Sequence, residues 1–240
     1  MKLLRTSFGL AVLLPSGEPL HIRHIIGIGM NYAAHAREQG KGLPERPVLF
    51  TKNPAAAILD GDEIVVPNVC QEREQVDFEG ELAVLLARPD MKPIRDIPKS
   101  DALSCVLGYC VANDVSARWW QREGSGGQFC RGKSFDTFCP LGPHVTPAAN
   151  VPNPHALRLQ TRLNGVTMQD ASTADMIFDI PTLISDLSRG TTLLPGTLIL
   201  TGTPSGVGMA RSPQVFLKHG DLVEIEIETL GIVRNRVRFE

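Results

Sequence analysis

Glu79, Glu81 and Asp114 are the residues of this 240-residue sequence whose types and spacing best suit metal chemistry. In the stretch Val76-Asp77-Phe78-Glu79-Gly80-Glu81-Leu82-Ala83-Val84-Leu85-Leu86, strand alternation predicts Val76, Phe78, Leu82, Val84 and Leu86 on one face and Asp77, Glu79 and Glu81 on the other. At a rise of about 3.3 Å per residue, the two glutamates have Cα atoms roughly 6.5–7 Å apart, which lets both carboxylates reach one cation. The run LAVLL after them predicts a strand buried on both faces, where like charges need a counter-ion. A second acidic row, Glu224, Glu226 and Glu228, is different, because the following strand carries Arg234, Arg236 and Arg238 at the same period to neutralise it. No basic strand adjoins Glu79 and Glu81 in sequence. Asp114, at the end of the apolar segment GYCVAND, is the natural third ligand. Three carboxylates without a nearby His or Cys pair favour Mg²⁺ or Mn²⁺ over zinc.

Other groups add anion binding and a base. Arg118 and Gln121 lie three apart on a helix expected to start at Ser116, so they share a face with the turn that carries Asp114. Lys133 follows a glycine-rich stretch at 124–127, in RGKSFD. There is no GxxxxGK[ST] and no GxGxxG after a strand, which argues against nucleotide binding. Thr203 sits in TGTPSGVG, a tight loop whose hydroxyls and backbone N–H groups suit a carboxylate ligand. His35 and Glu38 form H-x-x-E on a short helical segment, where a carboxylate fixing the imidazole tautomer makes a general base.

The elements that must position these groups read as strand-rich with short helices, punctuated by 22 glycines and 18 prolines, so a mostly β architecture is expected. Strands are expected at 24–29, 47–52, 76–87, 108–115 and 197–202. Hairpins are expected around Asn164-Gly165 and between 222–228 and 232–239, with helices near Ser100 and over 181–189. The N-terminal run FGLAVLLP ends in a Pro-Ser-Gly turn and is expected to be a hairpin strand rather than a secretory leader. No run of about 18 apolar residues suggests a transmembrane helix. A formal charge of −2, without a basic cluster, speaks against nucleic acid and anionic membranes as partners. Five cysteines without a CxxC pair predict reduced intracellular thiols.

Taken in order, GMNY with His35 and Glu38, DFEGELAV, ANDVSAR with Gln121, GKSFDTFCPLGP, LNGVTMQD, TGTPSGVG and FLKHGD resemble the fumarylacetoacetate hydrolase superfamily over about residues 24–237. That resemblance implies an α+β, mainly β fold, a mixed β-sandwich roll with short helices, in one domain over 1–240 with a short N-terminal hairpin in 1–23. It implies a homodimer that binds Mg²⁺ or Mn²⁺ through Glu79, Glu81 and Asp114; the reduced thiols make a cytoplasmic location the expectation. Arg118, Gln121, Lys133 and Thr203 would then line the substrate's carboxylate and keto end, and His35 and Glu38 would activate water. The expected reaction is hydrolysis of a C–C bond in an acylpyruvate, with fumarylpyruvate or maleylpyruvate from aromatic-ring degradation as the leading substrates. Lys133 would hold or neutralise the oxyanion. The small 2-oxo acid could instead be oxaloacetate: the alternative is an oxaloacetate decarboxylase or keto–enol tautomerase, which needs the same enolate clamp but no activated water.

Overall fold

A computed structural model describes all residues from Met1 to Glu240. Its frame is a seven-stranded sheet in the order Val48–Lys52, His24–Gly29, Thr197–Leu200, Gly80–Leu86, Val106–Asn113, Cys139–Pro147, Ala57–Leu59. A five-stranded sheet, Val166–Ser172, Arg158–Leu163, Leu222–Ile227, Gly231–Phe239, Glu63–Val66, packs against it. This is the mainly β architecture expected, and no helix is long and apolar enough to cross a membrane.

The Gly80–Leu86 strand is central to the larger sheet and buried along its whole length, as its uninterrupted apolar pattern requires. Its two faces feed two separate cores: Leu82, Val84 and Leu86 join the cluster between the sheets, while Ala83 and Leu85 join a second cluster under the N-terminal strands. Gly80 sits where the two sheets approach, and a Cβ there would lie 2.3 Å from Thr161 Oγ1.

Several elements differ from expectation for local reasons. The strand predicted over 76–87 breaks at Phe78 and Glu79. There Asp77 Oδ1 accepts from Phe78 N–H at 2.9 Å and Asn113 Oδ1 accepts from Glu79 N–H at 3.1 Å, so side chains replace the ladder. The helix expected from Ser116 is preceded by a two-residue pairing, Ser116 with Asp77 and Ala117 with Val76, and spans only Arg118–Gln121. The segment near Ser100 is a 3₁₀ helix, Lys99–Cys105, and the N-terminal hairpin gains a third strand, Pro19–His21. The helix Ile180–Ser188 begins as anticipated, with Asp179 Oδ1 accepting from Thr182 N–H at 2.8 Å.

The acidic row Glu224, Glu226 and Glu228 is neutralised only in part, Glu228 having no ion-pair partner, and in another pattern than the one expected. Glu224 pairs with Arg234 at 2.9 Å, but Glu226 takes Arg162 of the opposite neighbouring strand at 2.8 Å, and Arg238 goes to Glu63.

Candidate metal centre and acid–base pair

The central strand and the end of Val106–Asn113 bring Glu79, Glu81 and Asp114 together, with one carboxylate oxygen from each lying within 4.8 Å of the others. All three are buried. Asp114 N–H donates to Glu79 O at 2.8 Å, which ties the turn to the strand directly.

Although no basic strand adjoins the glutamates in sequence, three buried cations from distant segments reach the triad. Lys133 bridges Glu79 Oε2 and Asp114 Oδ2. Lys52, which sequence reasoning missed, donates to Asp114 Oδ1 at 2.6 Å and to Val115 O at 3.2 Å. Arg118 reaches Glu79 Oε1 at 2.7 Å and holds Asp77, also missed, through Nε at 2.9 Å and Nη2 at 2.7 Å. Asp77 additionally accepts from Gly208 N–H and Met209 N–H, so it fastens the loop after Thr203 to Arg118.

Four buried carboxylates, Asp77, Glu79, Glu81 and Asp114, thus face three buried cations, and one negative charge is left over. The carboxyl without an ion-pair partner is Glu81, whose single hydrogen bond is from Gly202 N–H at 2.7 Å. Burial, then the charges of Asp114 and Glu79, push the Glu81 carboxyl well above the usual carboxylate range. Burial would push Glu79 up too, but Lys133 and Arg118 outweigh it and hold that carboxyl well below the usual range. An oxygen-rich donor set with uncompensated negative charge fits a hard divalent cation. Gly202 is itself required: at φ +100°, a side chain there would place Cβ 2.7 Å from Asn31 Cβ.

Above the triad, the short helix Ala33–Glu38 presents the expected pair. His35 Nδ1 lies 2.7 Å from Glu38 Oε1, and Gln39 Nε2 lies 2.8 Å from His35 Nε2. A carboxylate can only accept and the Gln39 amide nitrogen can only donate, so the proton belongs on Nδ1 and Nε2 carries the basic lone pair. Glu38 Oε2 also accepts from Gly206 N–H at 2.9 Å, which docks the helix on the 203–208 loop. Gln39 had no sequence signal beyond its adjacency to the pair.

One pocket joins His35, Glu79, Glu81, Gln121, Lys133 and Thr203, with Arg118 on its wall. The expected site residues therefore converge except Asp114, which lies beneath them, and Glu38, which backs His35. Their commitments differ from the expected ones. The Arg118 guanidinium is occupied by Asp77, Glu79 and Gln121 Oε1, and the Thr203 hydroxyl donates to Gly80 O at 3.0 Å while accepting from Gln169 at 2.7 Å. Lys133 uses two of its three donors, and Gln121 keeps its amide N–H groups, so among the expected site residues these two keep donors for a ligand's oxygens.

Lys133 is placed by its neighbour. A Cβ on Gly132 would lie 2.4 Å from Gln121 N and 2.7 Å from Ala117 O, so only glycine lets Phe129–Lys133 press against Arg118–Gln121. Gly132→Ala is expected to cost about 1–3 kcal/mol by overpacking and to reduce activity beyond what the lost stability explains. A thermal melt and a rate assay at a temperature where the variant is folded check it; wild-type rate there would mean that Lys133 had not moved.

Comparison with known proteins gives the family. The family model for the fumarylacetoacetate hydrolase C-terminal region matches residues 24–238. The chain is 45% identical over 213 residues to a mitochondrial oxaloacetate tautomerase of Bos taurus, covering 89% of this chain and 66% of that protein, so it spans just under two thirds of this relative's length. Among solved structures, fumarylpyruvate hydrolase from Pseudomonas aeruginosa, in complex with Mn²⁺ and pyruvate, is 29% identical with a TM-score of 0.83 and 95% coverage of both chains. A 5-carboxymethyl-2-hydroxymuconate delta-isomerase from Mycobacterium smegmatis is 38% identical with a TM-score of 0.79, covering 96% of this chain and 83% of that one.

Proposed function

Because the chain belongs to the fumarylacetoacetate hydrolase family, we propose that it is a metal-dependent enzyme that moves a proton at the carbon beside the keto group of a 2-oxo dicarboxylate, interconverting keto and enol oxaloacetate. The observation that carries this reading is one pocket holding both the basic His35 Nε2 and two members of a buried acidic triad short of positive charge. Oxaloacetate is favoured over other 2-oxo acids by the 45% identity to a tautomerase of that substrate.

Glu79, Glu81 and Asp114 would hold Mg²⁺ or Mn²⁺, which supplies Lewis-acid polarisation of the 2-oxo carboxylate and a counter-charge for its enolate form. The Mn²⁺ of the fumarylpyruvate hydrolase structure supports that assignment. His35 Nε2 takes a proton from the substrate's C3 once the Gln39 amide swings away from it. Glu38 keeps Nδ1–H oriented and offsets the imidazolium charge that forms. Lys133, with its third donor, and Gln121, with its amide N–H, bind the oxygens of the keto-acid end. Arg118 stays with its two carboxylates and positions Gln121. Returning the proton to the C2 oxygen completes an isomerisation that consumes nothing else.

Hydrolysis of an acylpyruvate is the second reading, supported by the fumarylpyruvate hydrolase structure. It uses the same base on a water molecule, which attacks the distal carbonyl; the C–C bond then breaks to release pyruvate and a carboxylic acid. A single Mn²⁺-loaded preparation separates the two. Decay of enol-oxaloacetate should be accelerated far more than pyruvate release from oxaloacetate or from fumarylpyruvate. Faster pyruvate release from fumarylpyruvate would make the protein a hydrolase, and inactivity in all three assays would overturn both readings.

A further inference from the structure

We propose that Lys41 and Arg122 form a second anion-binding point on the walls of the same pocket, selecting 2-oxo acids that carry a distal carboxylate; this rests on the 2-oxo acid reading above and adds the residues that set its substrate class. Five basic side chains line the pocket: His35, Lys41, Arg118, Arg122 and Lys133. His35 is held by Glu38, Arg118 by Asp77 and Glu79, and Lys133 by Glu79 and Asp114. Lys41 and Arg122 have no acidic partner. Arg122 has one side-chain contact, a 3.7 Å approach of Nη2 to Met209 Sδ, and Lys41 has none. Both are exposed at the mouth, whereas the triad is buried at the floor, so a ligand bound by its keto-acid end turns its other end toward them.

Each of these cations is fastened to a segment that carries reactive groups. Lys41 N–H donates to Ala36 O at 3.0 Å, which ties it to the helix bearing His35 and Glu38. Arg122 N–H donates to Trp119 O at 3.2 Å, at the end of the turn bearing Arg118 and Gln121. A carboxylate held by both would pull the two walls together and seat the imidazole over the substrate, so the distal charge would serve turnover as well as affinity. A monocarboxylic 2-oxo acid leaves both cations in water and gains nothing from them.

The test compares two non-reacting ligands that differ by one carboxylate, 2-oxoglutarate and 2-oxobutanoate, titrated calorimetrically into Mn²⁺-loaded wild type, Arg122→Gln, Arg122→Lys and Lys41→Gln. In wild type, 2-oxoglutarate should bind more tightly. Either glutamine substitution should weaken it by about 5- to 20-fold while leaving 2-oxobutanoate unchanged, as expected for loss of a charge-assisted contact. Arg122→Lys should recover part of the loss. Equal weakening of both ligands, or no weakening of either, overturns the proposal. If wild type binds both ligands equally well, the second anion point is absent while the 2-oxo acid reading stands. If wild type binds neither, that reading fails first and this one with it.

Discussion

Asp114→Asn should lower the melting temperature of the metal-stripped protein by roughly 6–20 °C, whereas Glu81→Gln, one strand away in the same triad, should leave it unchanged or raise it. Both should lose metal binding. The two carboxylates differ in what they neutralise. Asp114 is fully buried and receives Lys52 on one oxygen and Lys133 on the other. An amide there leaves Lys52 with only the Val115 carbonyl at 3.2 Å and halves the compensation of Lys133. Removing one partner of a buried ion pair costs about 3–5 kcal/mol, and a domain of this size loses about 2–4 °C per kcal/mol.

Glu81 has the opposite balance. It faces Asp114 and Glu79, has Gly202 N–H as its one hydrogen-bond partner, and has no ion-pair partner, so ionising it is opposed by its neighbours. A glutamine keeps an oxygen for Gly202 and discards the repulsion. The sign of the pH dependence follows. Because folding raises the Glu81 carboxyl above its ordinary value of 4.5, the folded state binds the extra proton, so this group's contribution to stability falls as pH rises from 4.5 through its folded-state range. Glu81→Gln removes that slope. Melting curves of the metal-stripped proteins across this range check both statements, and equal destabilisation by the two substitutions would show that Glu81 is compensated after all.

The same asymmetry shows what the sequence could and could not convey. Two glutamates on a strand buried on both faces are legible from alternation and from the apolar run after them, and Asp114 is legible as the end of a second such strand. The demand for positive charge is therefore visible, but its local suppliers are not. Lys52 closes an edge strand 62 residues before Asp114, and Lys133 follows it by 19, so only the strand order brings them in. Asp77 was readable as a third acidic residue on the same face, yet its role depends on the break at Phe78 and Glu79. That break arises because the side chains of Asp77 and Asn113 capture the backbone N–H groups that a continuous ladder would use. Arg118 was expected to hold a substrate carboxylate. With Asp77 beside it, it is instead tied to the floor of the pocket, and Gln121 lines that pocket with its amide N–H groups unpaired.

Local signals survived better where a single turn or residue pair carries them. Asn164 and Gly165 adopt positive φ of 52° and 79°, as a two-residue hairpin turn requires, and the strands on either side pair as expected. The His35–Glu38 bond likewise needs only one turn of helix. Its chemistry is less local. The pair had pointed toward hydrolysis, but a base that can deprotonate water can equally deprotonate carbon, and the choice rests on what the pocket places in front of Nε2.

That pair carries the second large effect: Glu38→Gln and His35→Asn should each lower turnover by about 10²- to 10⁴-fold, the range of a general base, with metal affinity unchanged. The glutamine substitution is informative because Glu38 accepts on both oxygens, from His35 Nδ1–H and from Gly206 N–H. An amide has one acceptor oxygen. If that oxygen stays with His35, an NH₂ group faces the Gly206 N–H and the helix loses its attachment to the loop. If it stays with Gly206, the NH₂ group faces Nδ1, the proton moves to Nε2 and the lone pair toward the substrate disappears. In the first case the imidazole is displaced and in the second it loses its basic nitrogen; both act through His35, so the double variant should be no slower than the worse of the two single ones, as for residues that act as a unit. Steady-state rates of all three, beside calorimetric Mn²⁺ titrations, decide the matter. Losses that multiply would show that Glu38 acts on the substrate independently of the imidazole; wild-type turnover in His35→Asn would remove His35 as the base, and in Glu38→Gln would remove Glu38 as its support.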